Sequence, residues 1–153
     1  MNCIKSLDIV GLVETHTTSS FISALDDYKM FHTHRVQNNR SNRKFGGISV
    51  LIRKSLPDDV EPLPVTNSSI VWFKLKSTFC NTSKDIFMCF LHIPQENFPY
   101  TVKNGDDFDT LINDICKYSS SGDHMLCGDF NARTASDPDF IQYDNNDKFI
   151  QND

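Results

Sequence analysis

Two strand-length apolar runs with an amphipathic helix pattern between them occupy residues 85–129, and this triplet restricts the fold more than any other feature. The first run covers residues 85–93. Behind it Phe108, Leu111, Ile112, Ile115 and Cys116 recur at three- and four-residue spacing. That spacing puts them on one side of a helix over residues 104–120, with Asn104 or Asp106 as its cap. The second run, His124-Met125-Leu126-Cys127-Gly128-Asp129, reads as a buried strand. Strand, helix and strand in that order form an α/β unit.

Further strands precede this unit. Asp8-Ile9-Val10-Gly11-Leu12-Val13 is nearly continuous in apolar residues, the pattern of a strand covered on both faces, and it stops at Glu14. Hydroxyls from Thr17 to Ser20 can cap a short helix through Phe21, Ile22 and Leu25. Residues 28–36 read as a strand. Gly46-Gly47 then turns the chain into a clearer one, Ile48-Ser49-Val50-Leu51-Ile52-Arg53. After the prolines at 57, 62 and 64, Ile70-Val71-Trp72-Phe73-Lys74-Leu75-Lys76 is expected to lie beside the 85–93 run. Beyond Asp137 the chain turns to Asp, Asn and Gln, with few apolar anchors. With 39% hydrophobic and 11% aromatic residues, 153 residues can form the core of one domain.

Charge and cysteines narrow the function classes. The net charge of −5 speaks against coating nucleic acid by bulk attraction. A local basic cluster, Arg35, Arg40, Arg43 and Lys44, reads first as a solvated loop and second as a contact for a phosphate backbone. Five cysteines without C-x-x-C spacing argue against a zinc knuckle or a disulfide framework. Cys89, Cys116 and Cys127 lie in apolar runs, where a reduced thiol acts as a small hydrophobe. No stretch has the make-up of a signal peptide or approaches ~20 apolar residues. The expected setting is reducing and intracellular, nuclear or cytoplasmic, with no membrane partner; no pattern specifies an oligomeric state.

Chemistry concentrates where the apolar runs end. In strand geometry Asp129 and Asn131 leave on one face while Phe130 enters the core. Gly128 allows close approach of a ligand to the backbone. The carboxylate can orient a water or a metal, and the carboxamide can donate to a phosphate oxygen. An Asx-rich turn after a strand would look the same. Glu14 also stands at a strand end, where open α/β sheets hold ligands, and one carboxylate suits magnesium, which keeps several waters. A solvent-facing glutamate has the same local pattern. His92, just before Ile93-Pro94, could donate to a phosphate at that edge or serve structurally, and His16 could rim the site. His32, His34 and His124 read as strand residues. The histidines lack the spacing of a zinc hydrolase.

In order, Asp8-Ile9-Val10-Gly11-Leu12-Val13-Glu14-Thr15-His16, Gly46-Gly47-Ile48-Ser49-Val50-Leu51-Ile52-Arg53, His92-Ile93-Pro94 and Gly128-Asp129-Phe130-Asn131-Ala132-Arg133 resemble the endonuclease/exonuclease/phosphatase family. The flavour is that of the apurinic-type endonuclease domain of non-long-terminal-repeat retrotransposons, and the resemblance is strongest over residues 8–134. It implies an α+β fold, part of a four-layer α/β/β/α sandwich in which two sheets pack together with helices outside. It implies magnesium as cofactor, with manganese as an alternative, and DNA as substrate, cleaved at a phosphodiester by an activated water. Glu14 matches the metal-binding glutamate, Asp129 the aspartate that orients the nucleophile, and Asn131 the asparagine that contacts the scissile phosphate. At His92 the family usually has tyrosine, so this residue keeps a donor and changes its reach and charge.

The family's first strand ends in asparagine, and its last motifs are a further aspartate and then Ser-Asp-His; residues 1–153 contain neither end. The expectation is a single domain over residues 1–153, incomplete at both ends, poorly soluble alone and impaired in turnover. Three readings follow from the same residues: a magnesium-dependent DNA endonuclease, a non-catalytic remnant or interaction module, and a phosphatase of small phosphorylated substrates.

Overall fold

In a computed structural model, residues 6–16, 25–33, 46–56, 58–65, 67–94 and 107–131 are described. They form seven strands and two helices: β1 (Ile9–Val13), β2 (Tyr28–Thr33), β3 (Ile48–Arg53), β4 (Val60–Pro62), β5 (Ile70–Leu75), α1 (Ser77–Cys80), β6 (Asp85–His92), α2 (Asp107–Tyr118) and β7 (Gly122–Asp129). The helix expected after Thr17, the basic cluster at Arg35, Arg40, Arg43 and Lys44, the α2 cap and the polar tail lie outside the described residues.

The strands make two sheets. One has the order β1-β3-β2, antiparallel throughout; the other has the order β4-β5-β6-β7. In the second, β5 and β6 are antiparallel, whereas β6 and β7 are parallel, as a strand, helix, strand connection through α2 requires. Two sheets with helices give the expected α+β class. The short strand β4 and the single turn α1 had no periodic signal in the sequence. Pro62 fits β4 because β4 is an edge strand among the described residues, where a missing N–H costs no ladder bond.

Strand alternation distributes the core. Val71, Phe73 and Leu75 of β5 and Phe90 of β6 pack between the sheets with Ile48, Val50 and Ile52 of β3. The intervening residues, Ile70 and Trp72 of β5 and Phe87, Cys89 and Leu91 of β6, pack on the other face with Leu111 of α2. Central strands buried on both faces explain why these segments read as unbroken apolar runs.

Three expectations of burial need correction. β1 and β7 are edge strands of their sheets among the described residues, so neither is covered on both faces: Leu12, Met125 and Leu126 are exposed. An apolar run does not distinguish a central strand from an edge. The α2 stripe is also turned from its expected setting. Phe108, Ile112 and Cys116 are exposed, and the helix seats Leu111, Asp114, Ile115 and Tyr118 against the sheet. The rotation follows its partners: the Trp72 indole Nε1–H donates to Asp114 at 3.0 Å, and Tyr118 stacks on Phe87 at 4.7 Å. Cys80, Cys89, Cys116 and Cys127 form no disulfide.

Candidate active site

Register determines which strand ends meet. Val13 pairs with Ile48 in the first sheet, and Ile70 pairs with Leu91 in the second. His92 and Asp129 are register partners at the ends of β6 and β7. On β6, His92 has the same parity as Phe90, which packs between the sheets, so its ring faces the first sheet. Asp129 likewise shares the parity of Cys127, which packs on the intersheet core.

Glu14 arrives from the opposite sheet. Val13 packs on the intersheet core, so simple alternation would send Glu14 to the outer face. The backbone at Glu14 has φ 52°, in the left-handed region, which breaks the alternation. Its Oε1 lies 3.1 Å from His92 Nε2. His92 is buried, at 5% exposure, while the Glu14 side chain is 57% exposed. Because an ionised carboxylate only accepts, the Nε2–H of His92 is the donor.

Asn131 closes the other side. Asp129 and Asn131 are not brought together by strand alternation, since β7 ends at Asp129. An Asx-type turn does it: the Asn131 backbone N–H donates to Asp129 Oδ1 at 2.8 Å. Asn131 stands at φ 45° and donates from Nδ2 to the Ile93 carbonyl at 2.7 Å, tying the turn to the end of β6. The second N–H of that amide is not used in this bond. Phe130 packs on the outer core, as expected.

Backbone strain marks the same end of the molecule. Among the described residues, four non-glycine positions have positive φ; Glu14, His16 and Asn131 belong to this region, and Asn81 caps α1. Such conformations cost of order 1–3 kcal/mol each and gather at functional sites. Two glycines support the geometry. A Cβ on Gly128, at φ 140°, would collide with the Leu91 carbonyl, so the pairing with the neighbouring strand by itself requires glycine here. A Cβ on Gly11 would enter the Phe90 ring, a role the sequence did not reveal.

Glu14, His92, Asp129 and Asn131, separated in the chain, thus converge on one edge of the sandwich. His16, two residues beyond Glu14, is held by a backbone N–H bond to the Gly46 carbonyl at 3.0 Å. A cleft of about 410 Å³, lined by Lys29, Phe31, Arg53, Glu61 and Lys76 among others, lies elsewhere. Arg53 and Leu75 sit at the far ends of β3 and β5 from Glu14 and His92.

Residues 2–146 match the family model described as the Endonuclease/Exonuclease/phosphatase family. The chain belongs to that family. No curated protein matches it significantly. Endonuclease/exonuclease/phosphatase members hydrolyse phosphodiesters or phosphate esters, and they generally depend on a divalent metal. The donors present fit such an ion when it is hard and strongly hydrated: Glu14 offers one largely exposed carboxylate at a strand end. Among the described residues no three His, Cys, Asp or Glu side chains gather into a group that could hold a metal ion. No helix among them is long and apolar enough to cross a membrane.

Proposed function

We propose that this chain is a nucleic-acid phosphodiesterase of the endonuclease type, related to retroelement endonucleases and directed at DNA. The observation that carries the reading is the convergence of Glu14, His92, Asp129 and Asn131 from both sheets on one edge. Glu14 would hold magnesium, with manganese as a substitute, and a bound cation there supplies neutralisation of phosphate charge. Asp129, with Oδ1 committed to the Asn131 backbone, keeps Oδ2 to accept a proton from and orient the attacking water. The remaining Nδ2–H of Asn131 is available to a phosphate oxygen. Arg35, Arg40, Arg43 and Lys44 are proposed contacts for the backbone of the strand.

One observation favours a second reading, a non-catalytic scaffold: two polar groups of the site, Glu14 and Asn131, bond within the protein. Nicking of supercoiled plasmid with magnesium separates the two. The enzymatic reading expects nicking that Asp129→Asn lowers by about 10²-fold or more. Equal nicking, or none, by wild type, Glu14→Ala and Asp129→Asn would leave the scaffold. Release of phosphate from a small monoester with no nicking would favour a phosphatase.

A further inference from the structure

The His92 to Glu14 contact crosses between the sheets, and strand alternation accounts for the His92 end of it but not for the Glu14 end. Glu14 leaves the alternation of β1 through a left-handed backbone, and the partner it reaches is a buried imidazole on β6. A buried ring held by strand parity has little freedom, whereas a glutamate whose side chain is 57% exposed has several rotamers open to it. The rigid member therefore orients the mobile one. We propose that His92 is a positioning residue for Glu14: its Nε2–H fixes Oε1 and leaves Oε2 directed to solvent as the oxygen offered to a divalent cation. This rests on the proposed function and gives His92 a different task from donating to the phosphate. Hydrogen bonds of this kind orient ligating carboxylates, and their loss typically costs ~10–100-fold in metal affinity.

The test measures Mn²⁺ affinity of the full chain from the electron paramagnetic resonance signal of the free ion, without turnover. Wild type, Glu14→Gln, His92→Phe and His92→Gln are compared. His92→Phe keeps an aromatic ring without the donor and is expected to bind Mn²⁺ about 10-fold or more weakly. His92→Gln restores an N–H at similar reach and is expected to recover most of the affinity. A structural role alone predicts no such rescue. In the metal-free chain, the carboxylate carbon resonance of Glu14 reports the contact independently; it should move in His92→Phe and return in His92→Gln. Wild-type Mn²⁺ affinity in His92→Phe, or an unmoved Glu14 resonance, overturns the proposal. If Glu14→Gln leaves Mn²⁺ binding intact, the metal reading fails and the positioning role fails with it. A Glu14 resonance that still moves in His92→Phe would then show that the contact exists in solution and that the error lay in assigning it to metal binding.

Discussion

Gly128 and Leu91 meet backbone to backbone in the parallel pair of β7 and β6, so tightly that a Cβ on Gly128 would run into the Leu91 carbonyl. A side chain would have to push two strands apart one residue before Asp129. At φ 140° an alanine is strained as well. Gly128→Ala should therefore lower stability by roughly 1–3 kcal/mol and displace Asp129, cutting any nicking activity with it. A urea midpoint equal to wild type would show that the strands can yield. Gly11→Ala meets the Phe90 ring instead, and a ring adjusts more readily than backbone, so its loss should be smaller.

The indole of Trp72, 3% exposed, donates to Asp114 of α2. Asp114→Ala leaves that N–H buried without its acceptor and should cost about 1–3 kcal/mol. Asp114→Asn keeps an acceptor and should cost less. Trp72 is the single tryptophan, so its fluorescence in an unfolding titration reports both variants directly. Equal midpoints for Ala and Asn would remove the hydrogen bond from the account of α2 docking.

Asp85 joins β6 to the turn before it. The Ser77 backbone N–H donates to its Oδ1 at 2.8 Å, and Lys74 pairs with Oδ2 at 3.0 Å, which together hold its carboxyl below the ordinary carboxylate range. A group depressed in the folded state binds protons more readily when unfolded. Its stabilisation is present above about pH 4, the unfolded value, and is lost as pH falls through the lower folded value. The melting temperature of wild type should thus fall faster on acidification below about pH 4 than that of Asp85→Asn. A constant gap between the two curves from neutral to acid pH would contradict this.

Asn131 has two separable roles, a left-handed backbone and an amide bond to Ile93. Asn131→Gly keeps the first and loses the second, at about 0.5–1.5 kcal/mol. Asn131→Ala loses both and should be less stable than the glycine variant by thermal melting, because a Cβ without a local polar group is disfavoured at φ 45°. Alanine equal to or better than glycine would mean the turn relaxes.

Much of this architecture is legible locally. Apolar runs located β1, β3, β5, β6 and β7, and the stripe over residues 104–120 located α2, because strands and helices have fixed side-chain periods. The placing of Glu14, His92 and Asp129 at strand ends was equally visible, since Glu14 and Asp129 close their apolar runs and His92 stands just before the Ile93-Pro94 stop of its own. Less was visible of burial. Met125 and Leu126 of β7 resemble Cys89 and Leu91 of β6 in sequence, yet the former are exposed and the latter buried. The difference is one of neighbours: among the described residues β7 stands at an edge and β6 between two strands.

The chain's periodicity and its Gly-Asp-Phe-Asn-Ala-Arg stretch were sufficient for the fold class and the family, because both are carried by short-range pattern. The meeting of Glu14 with His92, the Asx turn that ties Asn131 to Ile93, and the face that α2 presents were decided only by the packed tertiary structure. Each depends on how one sheet or helix lies against another, and on strained backbone that only the surrounding packing can hold, so no local pattern encodes it.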